Sequence, residues 1–114
     1  MDQYSYVLSV NGLLFVFSII FYFFPAKEIN AIYGYRTNKS MKNQEIWDFA
    51  NTYFTKQFIV YSAISFVGSL LLAYINPKIT WQPMAIMLLS LAVAIIKTEQ
   101  VLDSNFDDNG QRKD

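Results

Sequence analysis

Three long apolar stretches without a charged residue constrain this chain more than any other feature. They occupy residues 4–24, 57–75 and 81–96. A helix needs about 20 apolar residues to cross the hydrocarbon core of a bilayer, and the first two stretches reach that length. The third reaches it if its helix continues past Lys97, whose long side chain can extend to the membrane interface. Because uncharged runs of this length are rare in soluble helix bundles, the sequence predicts an all-α membrane protein with three transmembrane helices, at about 4–24, 57–75 and 81–101.

The composition argues against several classes of function. The formal net charge is +0 over 114 residues, so there is no electrostatic reason to expect nucleic acid as a partner. Cysteine and histidine are absent, which removes disulfides, thiol chemistry and the commonest metal ligand. No pair of carboxylates is placed for acid–base catalysis, so we expect neither an enzyme nor a cofactor.

The polar tail, residues 103–114, is expected to be disordered, which leaves residues 1–102 as a single transmembrane domain. Its alternating Asp and Asn residues approach the spacing of a calcium-binding loop. However, Asp108 stands where such a loop requires Gly, and the tail lacks the bidentate Glu. We therefore expect no metal site.

The distribution of Lys and Arg predicts the orientation in the membrane. Five basic residues lie between the first two spans and three follow the apolar part of the third, whereas only Lys78 lies between the second and third. Basic flanking segments stay in the cytoplasm, which places the C-terminus inside and the N-terminus outside. A signal peptide is the alternative for the first span, but no basic residue precedes it and no small-residue cleavage site follows it.

The polar segment YGYRTNKSMKNQEIWDFAN, residues 33–51, is too long and too varied to be only a connector. Asn43 is a good N-cap, and Glu45 places a negative charge in the first helical turn. From Ile46 onward, apolar residues recur at the three-to-four-residue spacing of a helix face. Because no Gly or Pro separates this start from the second span, we expect one continuous helix over Gln44–Ile75, amphipathic at its cytoplasmic beginning.

This segment resembles the motif of the SdpI family, bacterial membrane proteins named for an immunity protein against a secreted peptide toxin. The matching residues are Gly34, Tyr35, Arg36, Thr37, Ser40, Met41, Lys42, Trp47, Ala50 and Asn51. The resemblance implies a multi-pass protein of the bacterial cytoplasmic (inner) membrane that acts in immunity or signalling. Its implied partners are membrane lipids and either a peptide toxin or a cytoplasmic regulator protein. The alternatives are an accessory subunit of a larger membrane complex and a lipid-handling enzyme that uses Arg36 to bind a phosphate.

Within this motif, Arg36 is the first candidate for binding. An Arg beside a Gly turn and two aromatic residues is placed to grip a carboxylate or a phosphate. Arg36, Lys39 and Lys42 are alternatively topology signals that contact anionic lipid. Trp47 is either an anchor in the headgroup region or a binding residue. The side chain of Asn51 either bonds across helices or is solvated.

The third span ends close to Glu99, which the predicted topology places on the same side of the membrane as Arg36. A carboxylate at an interface is costly to leave unpaired. We therefore predict an ion pair between Arg36 and Glu99, with Thr37 or Thr98 supplying a further hydrogen bond, that closes the polar segment over the inner ends of the helices. The alternative is that Glu99 faces water or pairs with Lys97.

Inside the spans, small and polar residues indicate where helices pack closely. Ser65, Ser69 and Ala73 recur every four residues along the second span, a spacing that allows two backbones to approach. Asn11 carries an amide into the first span, where it must bond to another helix or to water.

Because the chain contains no cysteine, single introduced cysteines can report its topology. We expect cysteines at Asn38 and Asn109 to be protected from a membrane-impermeant thiol reagent in intact cells, and one at Asn76 to react. Labelling at Asn38 from outside would contradict the predicted orientation.

Overall fold

The computed structural model describes residues 2–113 and consists of three long helices. The helices are α1 (Gln3–Phe23), α2 (Gln44–Ile75) and α3 (Gln82–Asn105). All three are long and apolar enough to cross a membrane, so the prediction of an all-α protein with three spans is confirmed. The continuous helix predicted from the polar segment into the second span is also present.

Local sequence signals determine where each helix begins. The Asp2 carboxylate caps α1 by accepting a hydrogen bond from the backbone N–H of Ser5 (2.7 Å). The Asn43 side chain caps α2 in the same way, accepting from the N–H of Ile46 (2.9 Å). In α3, Pro83 lies in the first turn, where the missing N–H has no helical partner to lose.

α2 is the central helix, packing against both α1 and α3, while α1 and α3 contact each other less extensively. Large apolar side chains on the outward faces of all three helices are exposed, as expected for surfaces that face lipid. Most of the buried apolar side chains lie at the end of the bundle where α1 ends and α2 begins. We call this the lid end, and we call residues 33–42, which precede α2 there, the lid.

Small polar side chains join α1 to α2 within the apolar region. The hydroxyl of Ser62 donates to that of Ser18 (2.7 Å), and the hydroxyl of Ser65 donates to Asn11 Oδ1 (2.6 Å). All four residues are buried, so these hydrogen bonds take the place of water, which the hydrocarbon layer cannot supply. The Asn11 side chain therefore bonds to α2 through its oxygen, while its buried Nδ2 has no hydrogen-bond partner within residues 2–113.

Residues 103–113 of the polar tail are folded in the structure, which differs from the disorder expected for residues 103–114, the last of which lies outside the described residues. α3 continues into the tail, and Phe106, which follows the helix, is fully buried. Asp107 then stabilises a turn by accepting hydrogen bonds from the backbone N–H groups of Asn109 and Gln111 (2.9 Å each). Composition indicated disorder because polar residues dominate the tail, whereas the buried Phe106 ring and hydrogen bonds from the polar segment before α2 hold it.

The Ser65 hydroxyl of α2 should contribute to stability through its hydrogen bond to Asn11 of α1. We expect Ser65→Ala to lower the free energy of unfolding in detergent by about 1 kcal/mol, because it leaves Asn11 Oδ1 without this donor. The matched control is Ser90→Ala, since the Ser90 hydroxyl bonds only to the Ile86 carbonyl of its own helix (2.8 Å). Equal effects of the two substitutions, measured by denaturant unfolding, would contradict a helix-joining role for Ser65.

Candidate functional site

The site lies at the lid end, and the backbone enters it through a turn at Gly34. Its φ angle is 107°, in the left-handed region that favours glycine. A Cβ at this position would lie 2.7 Å from the Ala26 Cβ and 2.8 Å from Asn51 Oδ1, closer than these atoms can pack. Gly34 is therefore needed both for the direction of the backbone and for the space it leaves, which agrees with the turn predicted there.

Asn51 holds the next residue of the lid by its backbone. Its Oδ1 accepts a hydrogen bond from the N–H of Tyr35 (2.7 Å), and its Nδ2 lies 3.4 Å from the Tyr35 carbonyl oxygen. The same Nδ2 donates to the Trp47 carbonyl one turn earlier in α2 (3.0 Å). Asn51 is 3% exposed, and the amide is satisfied on both sides, as a buried polar group must be. Asn51 is therefore not solvated, but it bonds to the lid and to its own helix and not across to another helix, as the first alternative had it.

Trp47 supports the chain that leads into the lid. Its side chain is fully buried, and its indole N–H donates to the Ala26 carbonyl (2.9 Å). The interpretation of Trp47 as an anchor among lipid headgroups is therefore wrong. An indole can fill an apolar space and still donate one hydrogen bond. Here the lid and the residues that precede it cover the ring.

The side chain of Tyr35 joins the lid to α3. Its ring stacks on Phe54 of α2, with 4.6 Å between ring centroids and 9° between planes. Its hydroxyl donates to Glu99 Oε2 of α3 (2.6 Å). Burial, together with the hydrogen bond to Glu99, raises the pKa of the Tyr35 hydroxyl above its usual range. Tyr35 therefore stays protonated at neutral pH and remains a donor to the carboxylate.

Thr37 and Ser40 close the lid into a compact turn. The Ser40 hydroxyl, fully buried, accepts from the N–H of Thr37 (2.8 Å) and lies 3.1 Å from the Tyr35 carbonyl, to which it donates. The Thr37 hydroxyl also lies 3.2 Å from Glu99 Oε2, to which it donates. Glu99 thus receives two hydroxyl groups from one turn.

The predicted ion pair between Arg36 and Glu99 is not formed. Within residues 2–113, the ion pairs closer than 4.0 Å join Lys39 to Asp103 and Arg112 to Glu45. Tyr35 and Thr37, on either side of Arg36, reach Glu99, while Arg36 itself is exposed. Neighbouring side chains of an extended segment point in opposite directions, so Arg36 is carried away from the carboxylate that its neighbours bind. The further hydrogen bond proposed for Thr37 is present.

The two lysines of the lid bind the C-terminal part of the chain. Lys39 Nζ lies 2.8 Å from Asp103 Oδ1 and donates to the Phe106 carbonyl (3.1 Å), while Lys42 Nζ donates to the Asp108 carbonyl. The hydrogen bond from Lys39 lowers the pKa of the Asp103 carboxyl, so the pair is charged at neutral pH. The lysines thus have a structural role, in addition to any effect on topology.

Sequence reasoning missed Phe106, on which this arrangement depends. A signal for it was present, because Ala94, Thr98, Leu102 and Phe106 recur every four residues and all are buried. The buried face of α3 therefore continues beyond the apolar run into the polar tail. The Phe106 ring meets Phe49 of α2 edge-on, with centroids 5.6 Å apart.

A cavity of about 310 Å³ lies beside the lid. Its apolar walls come from all three helices, and the lid contributes Gly34, Tyr35, Arg36 and Thr37. Of the predicted site residues, the structure brings the lid, Trp47, Asn51 and Glu99 into one connected cluster. Arg36 is at the edge of that cluster, facing solvent and the cavity.

These features define a multi-pass membrane protein whose first loop is folded over one end of a three-helix bundle. A family model described as the SdpI/YfhL protein family matches residues 27–98, which include the lid and all of α2. The match covers more than half of the chain, and the chain therefore belongs to the SdpI/YfhL protein family, as the motif suggested.

One curated relative is described as "Uncharacterized protein YfhL" from Bacillus subtilis (strain 168). It is 46% identical to this chain over 43 residues. The aligned region makes up 38% of this chain and 39% of YfhL, so the similarity spans less than half of either protein. No solved structure matches the chain.

The bond between Tyr35 and Glu99 can be measured by a double-mutant cycle. We expect Tyr35→Phe and Glu99→Ala to be coupled by about 1.5 kcal/mol in unfolding free energy, because Phe keeps the stacked ring and removes only the donor to a charged acceptor. Tyr53→Phe is the matched control, since the Tyr53 hydroxyl forms no hydrogen bond with Glu99. Additive effects of Tyr35→Phe and Glu99→Ala would contradict the contact.

Proposed function

We propose that this protein acts in immunity or signalling against a peptide toxin, and that the lid is the surface that engages the toxin or a cytoplasmic regulator protein. Membership of the SdpI/YfhL family supports the proposal, because the resemblance to SdpI implies such a role. The charge distribution supports an inner-membrane orientation with the lid and the C-terminus in the cytoplasm. In this orientation, the lid meets a toxin that has entered the membrane, or a regulator that approaches from inside the cell.

The observation that carries the proposal is the different use of the three basic residues in the lid. Lys39 and Lys42 are engaged with Asp103 and the Asp108 carbonyl, and so hold the lid in place. Arg36 lies between two anchored neighbours and is exposed. A guanidinium on a rigid turn loses little freedom when it binds a carboxylate or phosphate, so the fold prepares Arg36 for a ligand.

A connector or a topology signal does not require a backbone that is held in this way. Topology depends on the number of basic residues near a span and is insensitive to how each is held. Here, by contrast, a buried Asn, a buried Trp and a glycine with positive φ fix the backbone before Arg36, and the buried Ser40 hydroxyl holds it after Arg36. The proposal therefore assigns binding to Arg36 and positioning to Tyr35, Thr37, Ser40, Trp47, Asn51 and Glu99.

The test is survival of a toxin-sensitive bacterial strain, lacking its own immunity proteins, that expresses this chain and is challenged with the peptide toxin of the SdpI system. We expect the wild-type chain to protect and Arg36→Lys to lose most of that protection. Lysine keeps the charge that topology requires but lacks the planar fork that binds an anion at two points.

The matched control for charge is the pair Arg36→Gln and Lys27→Gln. Both residues are exposed and lie between α1 and α2, so each substitution removes one positive charge from the same loop. Protection should fall with Arg36→Gln and remain with Lys27→Gln, at equal membrane abundance measured by immunoblot. Full protection by Arg36→Lys, or equal losses from the two Gln variants, would contradict a binding role for Arg36.

A further inference from the structure

The cavity beside the lid has the shape of a site for a membrane amphiphile. At about 310 Å³, it is at the lower end of the range of small-molecule sites, roughly 300–1,000 Å³. On α1 its wall runs from Leu14 to Phe21, a rise of about 10 Å at 1.5 Å per residue. Leu91 and Ile95 of α3 form part of the wall. The cavity therefore extends from the lid end into the layer that acyl chains occupy.

The residues that line the cavity indicate which part of a ligand would lie inside it. The helical residues that line the cavity are all Leu, Ile or Phe, and Phe17, which faces it, is 48% exposed. An apolar wall that is open to the hydrocarbon layer favours an acyl chain over a polar or water-soluble ligand. Hydrophobic burial alone, however, does not distinguish one lipid from another.

The lid contributes the charged residue that would distinguish one lipid from another. Arg36 is the charged member of the lining within residues 2–113, and it lies at the end of the cavity where a headgroup would be. Arg36 forms no ion pair with the nearby Glu99, whose Oε2 accepts hydrogen bonds from Tyr35 and Thr37 within residues 2–113. A guanidinium beside an apolar cavity complements a ligand with an anionic phosphate at one end and an acyl chain at the other.

We propose that this cavity is a binding site for one anionic phospholipid, with its phosphate on the Arg36 guanidinium and an acyl chain between α1 and α3. Thr37 also lines this cavity, with its hydroxyl bonded to Glu99, so Arg36 is the residue assigned to the phosphate. This proposal is independent of the role in toxin immunity: a lipid at Arg36 would be present whether or not a toxin is ever bound.

The probe is phosphatidylglycerol with a photoactivatable group on its acyl chain, present at low mole fraction in nanodiscs of phosphatidylcholine that hold the full chain. We expect light-induced adducts to concentrate on residues 14–21 and 91–95. Arg36→Gln should reduce this labelling about tenfold, the effect expected from losing a charge-assisted hydrogen bond. Lys27→Gln, which removes the same charge elsewhere in the loop, should leave the labelling unchanged.

Two further measurements distinguish a specific lipid site from a nonspecific apolar surface. Photoactivatable phosphatidylcholine should label the same residues much less, because its headgroup has no net negative charge. Leu91→Trp, which fills the cavity and leaves Arg36 in place, should also reduce labelling by phosphatidylglycerol. Circular dichroism of each variant checks that the helices are intact, and the Arg36→Gln and Lys27→Gln pair alters only exposed side chains.

Three results would overturn the proposal. Equal labelling by the two lipids would show a cleft that accepts any acyl chain. Unchanged labelling of Arg36→Gln would show that the phosphate is not bound there. Purification of the chain with a hydrophobic peptide in the cavity, in place of lipid, would make the occupant a protein segment. None of these results depends on survival in the toxin challenge, so failure of the two proposals can be told apart.

Discussion

The hydrogen bond between the Asn51 side chain and the Tyr35 backbone N–H (2.7 Å) is the contact on which the rest of the lid depends. An amide buried this deeply is costly unless both of its ends are satisfied, and the Tyr35 N–H and the Trp47 carbonyl satisfy them. Gly34 must then be a glycine, because its neighbours leave no room for a Cβ. With Tyr35 held, its ring stacks on α2 and its hydroxyl reaches Glu99 on α3.

As a consequence, the charged residues of this region have different roles. The Glu99 carboxylate accepts hydrogen bonds from two hydroxyl groups, and Lys39 is paired with Asp103 across the lid and α3. Arg36 is exposed, and within residues 2–113 it is the basic residue of the lid whose side chain forms no hydrogen bond or ion pair. The phosphate of a lipid and the anionic groups of a peptide or regulator protein share the chemistry that such a guanidinium binds. The two proposals therefore concern the same side chain, with the lipid as a resident ligand and the toxin or regulator as a transient one.

The fold was predictable from the sequence because uncharged runs and helix caps act locally. Asn43, Glu45 and the absence of a breaker were enough to place the start of α2 and its continuity with the second span. The site was predictable only in part. That the lid meets Glu99 follows from charge and topology, but the donor depends on the direction in which each lid side chain points. Arg36 was assigned to Glu99 on charge alone, whereas Tyr35 and Thr37 occupy that position. The burial of Trp47 could likewise not be predicted from the sequence, because it depends on the lid being folded over the helix.

The central claim is that the lid is a fixed part of the bundle, and hydrogen exchange at the Tyr35 amide tests it most directly. This N–H is held by a side chain of another element, so its protection reports the closed lid and not helix formation. In detergent micelles or nanodiscs at neutral pH, the account predicts exchange at Tyr35 as slow as in the first turns of α2, and fast exchange in Asn51→Ala. Exchange at Tyr35 in the wild-type chain at the rate of an unstructured peptide, with α2 protected, would contradict it.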